Sequence, residues 1–358
     1  MQPLKNDTYL PALTGVRAIA AYLVYLHHYN PFTEGTLAFD ITKELYTGVT
    51  LFFVLSGFLI AFRYFGQEKL NFRAYMVNRI ARIYPMYFLL TTATFIYIHQ
   101  TGAGHTMNEV LVYLSNITFL RGYFENYKFS GVAQGWSLTV EETFYFTAPL
   151  FFLLIKKQYR NLLLLPLLIC ATGILLVTLC QDRNLMGFMG NYDFMFNYTF
   201  FGRCFEFFIG IGLALVLGRY RDKIKFRFAT YTGLAITIAG IVALALVKAD
   251  TEFGIRVPAG KLINNVIMPL CGIAVFYCGL ITETTLVSRL LGSKLFVLLG
   301  KSSYVFYLIH KGILMIMVEH VSANVLFGFV AINAISIVLF LGIEDPLNHF
   351  IRRKLNKA

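Results

Sequence analysis

The sequence predicts an all-α fold: a polytopic transmembrane helix bundle of about ten spans with both termini cytoplasmic. Three observations predict it. Of the 358 residues 57% are hydrophobic and only 14% charged, with a mean hydropathy of +0.64, whereas a soluble domain is about half apolar and a quarter charged. The apolar residues gather into runs near the ~20 residues that cross a bilayer. The basic residues are distributed unevenly between the breaks in those runs. A soluble globule, a disordered chain and a disulfide-stapled secreted domain are excluded.

The runs fall near residues 11–29, 44–62, 80–99, 137–155, 161–180, 196–217, 228–247, 262–281, 296–318 and 322–343. The first carries Arg17, His27 and His28 and is followed by no small-residue cleavage site, so it reads as a span and not as a cleaved signal. The longest polar interval, 102–135, holds a semi-apolar piece from Val110 to Leu120 that reads as a short interfacial or re-entrant helix. In the second run Gly48, Ser56 and Gly57 permit close helix packing. Glu344 and Asp345 before Pro346 read as a helix stop at the end of the last run. With a cytoplasmic N-terminus, 21 Lys and Arg fall inside, 7 outside and 3 within spans, which is the expected bias. The same bias accounts for the +12 formal charge without invoking nucleic acid. Cys170, Cys180, Cys204, Cys271 and Cys278 all lie in apolar runs and read as small buried hydrophobes, so no metal site is expected.

Ionisable groups at bilayer depth are costly and mark functional sites by default. Arg17 and His28 are 11 residues apart; at 100° per residue they share one face, about 16 Å apart along the axis. His27 points about 80° away. The plainer reading of His28 is a histidine satisfied by a neighbouring helix; the shared face with Arg17 weighs against it. Arg79 and Arg82 lie one turn apart at the start of the third run. A phosphate there would be welcomed by helix N–H groups, though positive-inside anchoring explains them equally well. The fourth run opens with the only tryptophan, Trp136, followed by Ser137, Glu141, Glu142 and Tyr145. Ser137, Glu141 and Tyr145 share a face at spacing four. Interfacial anchoring accounts for Trp136, but nothing as simple accounts for Glu141. Arg203 and Glu206 are placed for an ion pair, with Gly210 further along that face, and Ser303, Tyr307 and His310 line one face of the ninth run, with Lys311 next to them.

These segments resemble the acyltransferase-3 family of integral-membrane O-acyltransferases along nearly the whole chain. The carriers are LTGVRAIAAYLVYLHH at 13–28, TGVTLFFVLSGFLI at 47–60, RIARIYP at 79–85, WSLTVEETFY at 136–145, RCFEFFIG at 203–210 and SSYVFYLIH at 302–310. The family's basic-residue-to-histidine signature falls on Arg17 and His28. Its two-arginine-and-proline signature falls on Arg79, Arg82 and Pro85, and its Trp-Ser-Leu-x-x-Glu signature on Trp136, Ser137, Leu138 and Glu141. The resemblance implies a single transmembrane acyltransferase domain over 1–358, in the stand-alone form without an extracytoplasmic esterase-like domain.

By resemblance, the donor is acyl-coenzyme A, acetyl by default, used as a co-substrate with no permanently bound cofactor. The acceptor is a hydroxyl of an envelope or secreted carbohydrate, and the setting is the cell membrane. A sugar hydroxyl needs a base near the thioester, and histidine titrates in the right range. His28 is then the base and Glu141 its orienting carboxylate, with Glu142 the fallback. Arg79, Arg82 and Arg17 hold the donor's phosphates. Trp136, Ser137, Glu142, Tyr145, Arg203 and His310 are expected on the substrate side, Arg203 having the plainer role of pairing with Glu206. Direct transfer and an acyl-enzyme relay both stay open. The reading from another class is a secondary transporter, against which stands the lack of an inverted repeat or paired broken helices. Oligomeric state is not legible.

Overall fold

A computed structural model describes residues 9–101, 109–183, 185–220 and 227–355. Lys5, Arg221, Lys223, Lys225 and Lys357, which contribute to the charge bias, lie outside the described residues. In chain order the helices are α1 Pro11–His28, α2 Leu37–Lys43, α3 Gly48–Tyr64, α4 Phe72–Thr101, α5 Glu109–Ile117, α6 Trp136–Lys157, α7 Asn161–Cys180, α8 Tyr192–Tyr198 and α9 Phe200–Tyr220. There follow α10 Ala229–Val247, α11 Pro258–Leu262, α12 Ala274–Thr282, α13 Leu286–Leu291, α14 Lys294–Ile309, α15 Ile313–Val321, α16 Val325–Leu339 and α17 Asp345–Leu355. The described residues contain no strand, in keeping with the all-α expectation.

Seven helical segments among the described residues are long and apolar enough to cross a membrane: Leu37–Tyr64, Ala133–Lys157, Asn161–Cys180, Tyr192–Tyr220, Ala229–Val247, Pro258–Thr282 and Val325–Leu355. An eighth forms if α14 and α15, bent by 90° at their junction, count as one. The two other expected spans, α1 and α4, are long helices of 18 and 30 residues. They fall short in apolarity because they carry Arg17, His27 and His28, and Arg79 and Arg82.

Four expectations from sequence are altered. The run at 296–318 is broken at 90°, not straight. The run at 262–281 contains a π-helical stretch, Ile263–Ile273, around Pro269. The last helix does not stop before Pro346: a π turn, Phe340–Glu344, leads straight into α17. A wide turn shifts the hydrogen-bond ladder, so the missing N–H of Pro346 breaks no regular bond. Finally, the five cysteines are free but only Cys204 is buried; Cys271 is exposed and the others half-buried on apolar helix faces.

Chain contacts group into two compact units. The first comprises Met1–Lys69, Leu150–Ala171 and Phe201–Lys301. Within it α3 approaches α1 and α9 closely: a Cβ on Gly48 would strike the Ala20 carbonyl, and one on Gly57 the Phe207 carbonyl. A groove of about 900 Å³ in this unit is lined almost wholly by apolar side chains of α7, α9 and the π stretch, and holds none of the predicted site residues. The second unit comprises Leu70–Pro149, Thr172–Phe200 and Ser302–Ala358. Here α17 packs along α4, with Arg352 Nη2 3.4 Å from the Asn78 carbonyl.

Candidate functional site

In the first unit α1 is unbroken, so Arg17 and His28 share a face as their spacing requires; both are half-buried. His27 turns to the side. Its Nδ1–H donates to the Lys43 carbonyl at 2.6 Å, and its ring meets Tyr46 edge-on at 5.7 Å and Phe253 at 5.6 Å. A carbonyl oxygen only accepts, so the bond places a proton on Nδ1 of His27. The His28 ring lies 4.7 Å from the His27 ring, centroid to centroid. Lys43 reaches over the Phe39 and Phe253 rings and 3.7 Å from Glu252. Glu44 is fully buried and accepts the Gly254 N–H at 2.9 Å, tying the segment after α2 to the loop before α11.

Arg203 is 2% exposed and its guanidinium is taken up by protein groups. Nε and Nη2 donate to Glu206 at 2.8 and 2.6 Å, and Nη2 also reaches Thr50 Oγ1 at 3.0 Å. Thr50 donates to Asn264 Oδ1, Asn264 to Asn265 Oδ1, and Asn265 to the Gly202 carbonyl. The π stretch carries both asparagines. This network gives Arg203 the ion pair with Glu206 that its spacing predicts. Sequence reasoning passed over Thr50, Asn264 and Asn265, although two adjacent amides inside an apolar run are a readable signal.

The second unit holds the other motifs. Gln134 Nε2 donates to the carbonyls of Tyr307 and Leu308 at 2.8 and 2.9 Å, and the His310 Nδ1–H donates to the Tyr307 carbonyl at 2.8 Å. Those are carbonyls left over at the end of α14, where the chain bends. Ser137 donates to the Gln134 carbonyl at 3.0 Å and lies 2.9 Å from Tyr307 Oη. Ser137 and His310, expected on the substrate side, are therefore 4% and 0% exposed parts of the joint between α6 and the α14 end. Trp136 is half-buried, edge-on to Tyr198 at 5.0 Å. Gln134 carried no sequence signal. Nor did Arg121, fully buried, which donates Nη1 to Ser130 O and Nη2 to Val132 O and so cross-links the loop before α6. Burial pulls its guanidinium below the ordinary arginine value, with Tyr87 and Tyr307 opposing.

Arg79 and Arg82, half-buried on α4, stand in a charged cluster. The Arg79 guanidinium lies over the Tyr145 ring at 5.9 Å, and Tyr75 donates to the Tyr145 carbonyl at 2.8 Å, fastening α4 to α6. Glu142 is the carboxylate beside Arg79, with Glu141 as its like-charged neighbour. Arg82 faces Glu344. Tyr304 donates to the Ile83 carbonyl at 2.8 Å, and the charges of Glu344, Glu142 and Glu141 all act on this buried tyrosine. Glu344 is thus a cluster member and not a helix stop.

A family model described as an acyltransferase domain matches residues 10–343. The chain belongs to the acyltransferase-3 family. Among curated relatives, YrhL of Bacillus subtilis is 29% identical over 230 residues, covering 59% of this chain and 34% of YrhL. The peptidoglycan O-acetyltransferase OatA of Listeria monocytogenes is 29% identical over 181 residues, 47% of this chain and 28% of OatA. Acyltransferase MdmB of Streptomyces mycarofaciens is 27% identical over 341 residues, 84% of this chain and 78% of MdmB. The chain thus spans about a third of the length of YrhL and OatA. No solved structure matches.

Proposed function

We propose that the chain is a multi-pass O-acyltransferase of the cell membrane. It takes an acyl group, acetyl by default, from cytoplasmic acyl-coenzyme A and gives it to a hydroxyl of an envelope or secreted carbohydrate. The observation that carries the proposal is the family match across residues 10–343 together with the intact α1 face holding Arg17 and His28. The acceptor class is supported by OatA, whose name gives peptidoglycan as its substrate.

In the direct route the His28 imidazole takes the acceptor hydroxyl's proton as the oxygen attacks the thioester carbonyl. The tetrahedral intermediate collapses, the C–S bond breaks, and the coenzyme A thiolate leaves and takes up a proton. The new bond is an ester. Glu141 supplies the negative charge that stabilises an imidazolium. Arg79 and Arg82 bind the donor's phosphates through charge-assisted hydrogen bonds, with Arg17 a further contact. The cluster around them supports this: Glu142 and Glu344 keep two arginines together that would otherwise repel.

The test is thiol release from acetyl-coenzyme A by the purified chain in detergent, with a carbohydrate acceptor present. Acceptor-dependent release is expected. A transporter would release none, and that result would overturn the proposal.

A further inference from the structure

Among the buried polar atoms of the second unit that make no hydrogen bond are Arg79 Nε, Glu142 Oε1, Glu344 Oε2 and Asn348 Oδ1. All four stand where α4, α6 and the α16–α17 junction carry the arginine cluster. Buried polar groups are otherwise paired in folded proteins, and a concentration of unpaired ones calls for a ligand or water. Glu344 is 6% exposed, on a π turn that packs against α4; π turns recur at functional sites. Asn348 is one turn further on, in α17.

The composition of this set is specific. The arginines offer charge to phosphates. Three of these four atoms are acceptors, and the ionised phosphate oxygens of a nucleotide cannot satisfy them. A fitting ligand therefore carries phosphates and also N–H or O–H donors. The nucleotide end of coenzyme A does: phosphates, an adenine amine and a ribose 2′-hydroxyl. We propose that Glu344 and Asn348 are the hydrogen-bond-accepting half of a nucleotide seat whose phosphate-binding half is Arg79 and Arg82. This rests on the acyl-coenzyme A reading and adds two residues and the recognised moiety to it. A simple polyanion offers these acceptors no adenine amine or ribose hydroxyl, so the seat distinguishes a nucleotide from it.

The experiment measures binding of adenosine 3′,5′-bisphosphate and of pyrophosphate to the full chain in detergent. Glu344→Gln and Asn348→Ala should each weaken the nucleotide roughly tenfold, the worth of one hydrogen bond to a charged or buried group, and leave pyrophosphate unchanged. Arg82→Ala should weaken both. Equal weakening of both ligands by Glu344→Gln would make it a prop for Arg82 only. An unchanged nucleotide affinity would mean that water serves these atoms. A wild-type chain that ignores the nucleotide would refute the seat as well. Should Glu344→Gln not fold, Asn348→Ala decides, since its half-buried side chain makes no hydrogen bond through Oδ1. Acetyl-coenzyme A turnover, run in parallel, separates the two claims: nucleotide binding without turnover sinks the donor reading, and turnover with unaltered variants sinks the seat.

Discussion

Residues of one chemical type have opposite fates in this chain. Arg203 donates to Glu206 and Thr50 within one unit, while Arg79 and Arg82 stand half-buried among carboxylates and rings. Removing the first should cost fold, and removing the others should cost binding. Arg203→Met strands a fully buried Glu206 and should destabilise by about 3–5 kcal/mol, with much of the loss recovered by adding Glu206→Met; unfolding temperature in detergent checks both. Arg79→Ala or Arg82→Ala should instead raise the donor KM at nearly constant kcat, since binding common to ground and transition states is lost. An unchanged KM would remove the phosphate role. Gln134→Ala, which removes the side-chain donor to the Leu308 carbonyl and one of two donors to the Tyr307 carbonyl, should cost about 1–3 kcal/mol by the same thermal assay. Arg17, His28 and Glu141 stand out in the sequence because an ionisable group in an apolar run needs a special reason to be there, whereas positive-inside anchoring accounts equally well for the two arginines of α4. Arg121 and Gln134 do not stand out, since a polar residue in a loop is unremarkable until the fold buries it.

At the scale of elements, the helices follow their apolar runs, and the departures occur where backbone bonding and not hydrophobicity decides. Nothing in the run at 296–318 foretells a 90° bend, because the bend is stabilised by Gln134 from another part of the chain. The π segments are equally silent, each being a single shift in ladder register. Close approach was readable: small residues at Gly48 and Gly57 pointed to packing, and the backbone contacts agree. Gly57→Ala should therefore lower the unfolding temperature markedly, whereas Gly342→Ala, with open space around it, should leave it unchanged or slightly raised. Glu283 gives a pH-dependent counterpart. It caps α10 by accepting the N–H groups of Ala229 and Thr230 and the Thr230 hydroxyl. Burial presses its carboxyl upward, but those bonds outweigh it and hold the group below the ordinary value. A depressed folded-state pKa means stability that is present above the unfolded value and lost as pH falls through the folded one. Glu283→Gln should be less stable than wild type near neutrality, with the gap closing on the acid side of the ordinary carboxylate range; melting curves across pH read this directly.

For the whole molecule, composition and run length gave the fold class, because burying so many apolar residues leaves a bilayer as the fitting solvent. The span count is where apolarity alone misleads. The two helices it leaves out, α1 and α4, carry Arg17, His28, Arg79 and Arg82, and in α4 also a proline and several tyrosines and threonines, and these together dilute their hydropathy. The proposed mechanism gives His28 the role of base and Glu141 that of stabilising carboxylate. Its most direct test is the double variant. The single changes His28→Ala and Glu141→Gln and the two together should all reduce acetyl transfer to the same residual rate, with expression and melting temperature unaltered. Two independent losses that multiply in the double variant, or full activity in either single one, would contradict the account.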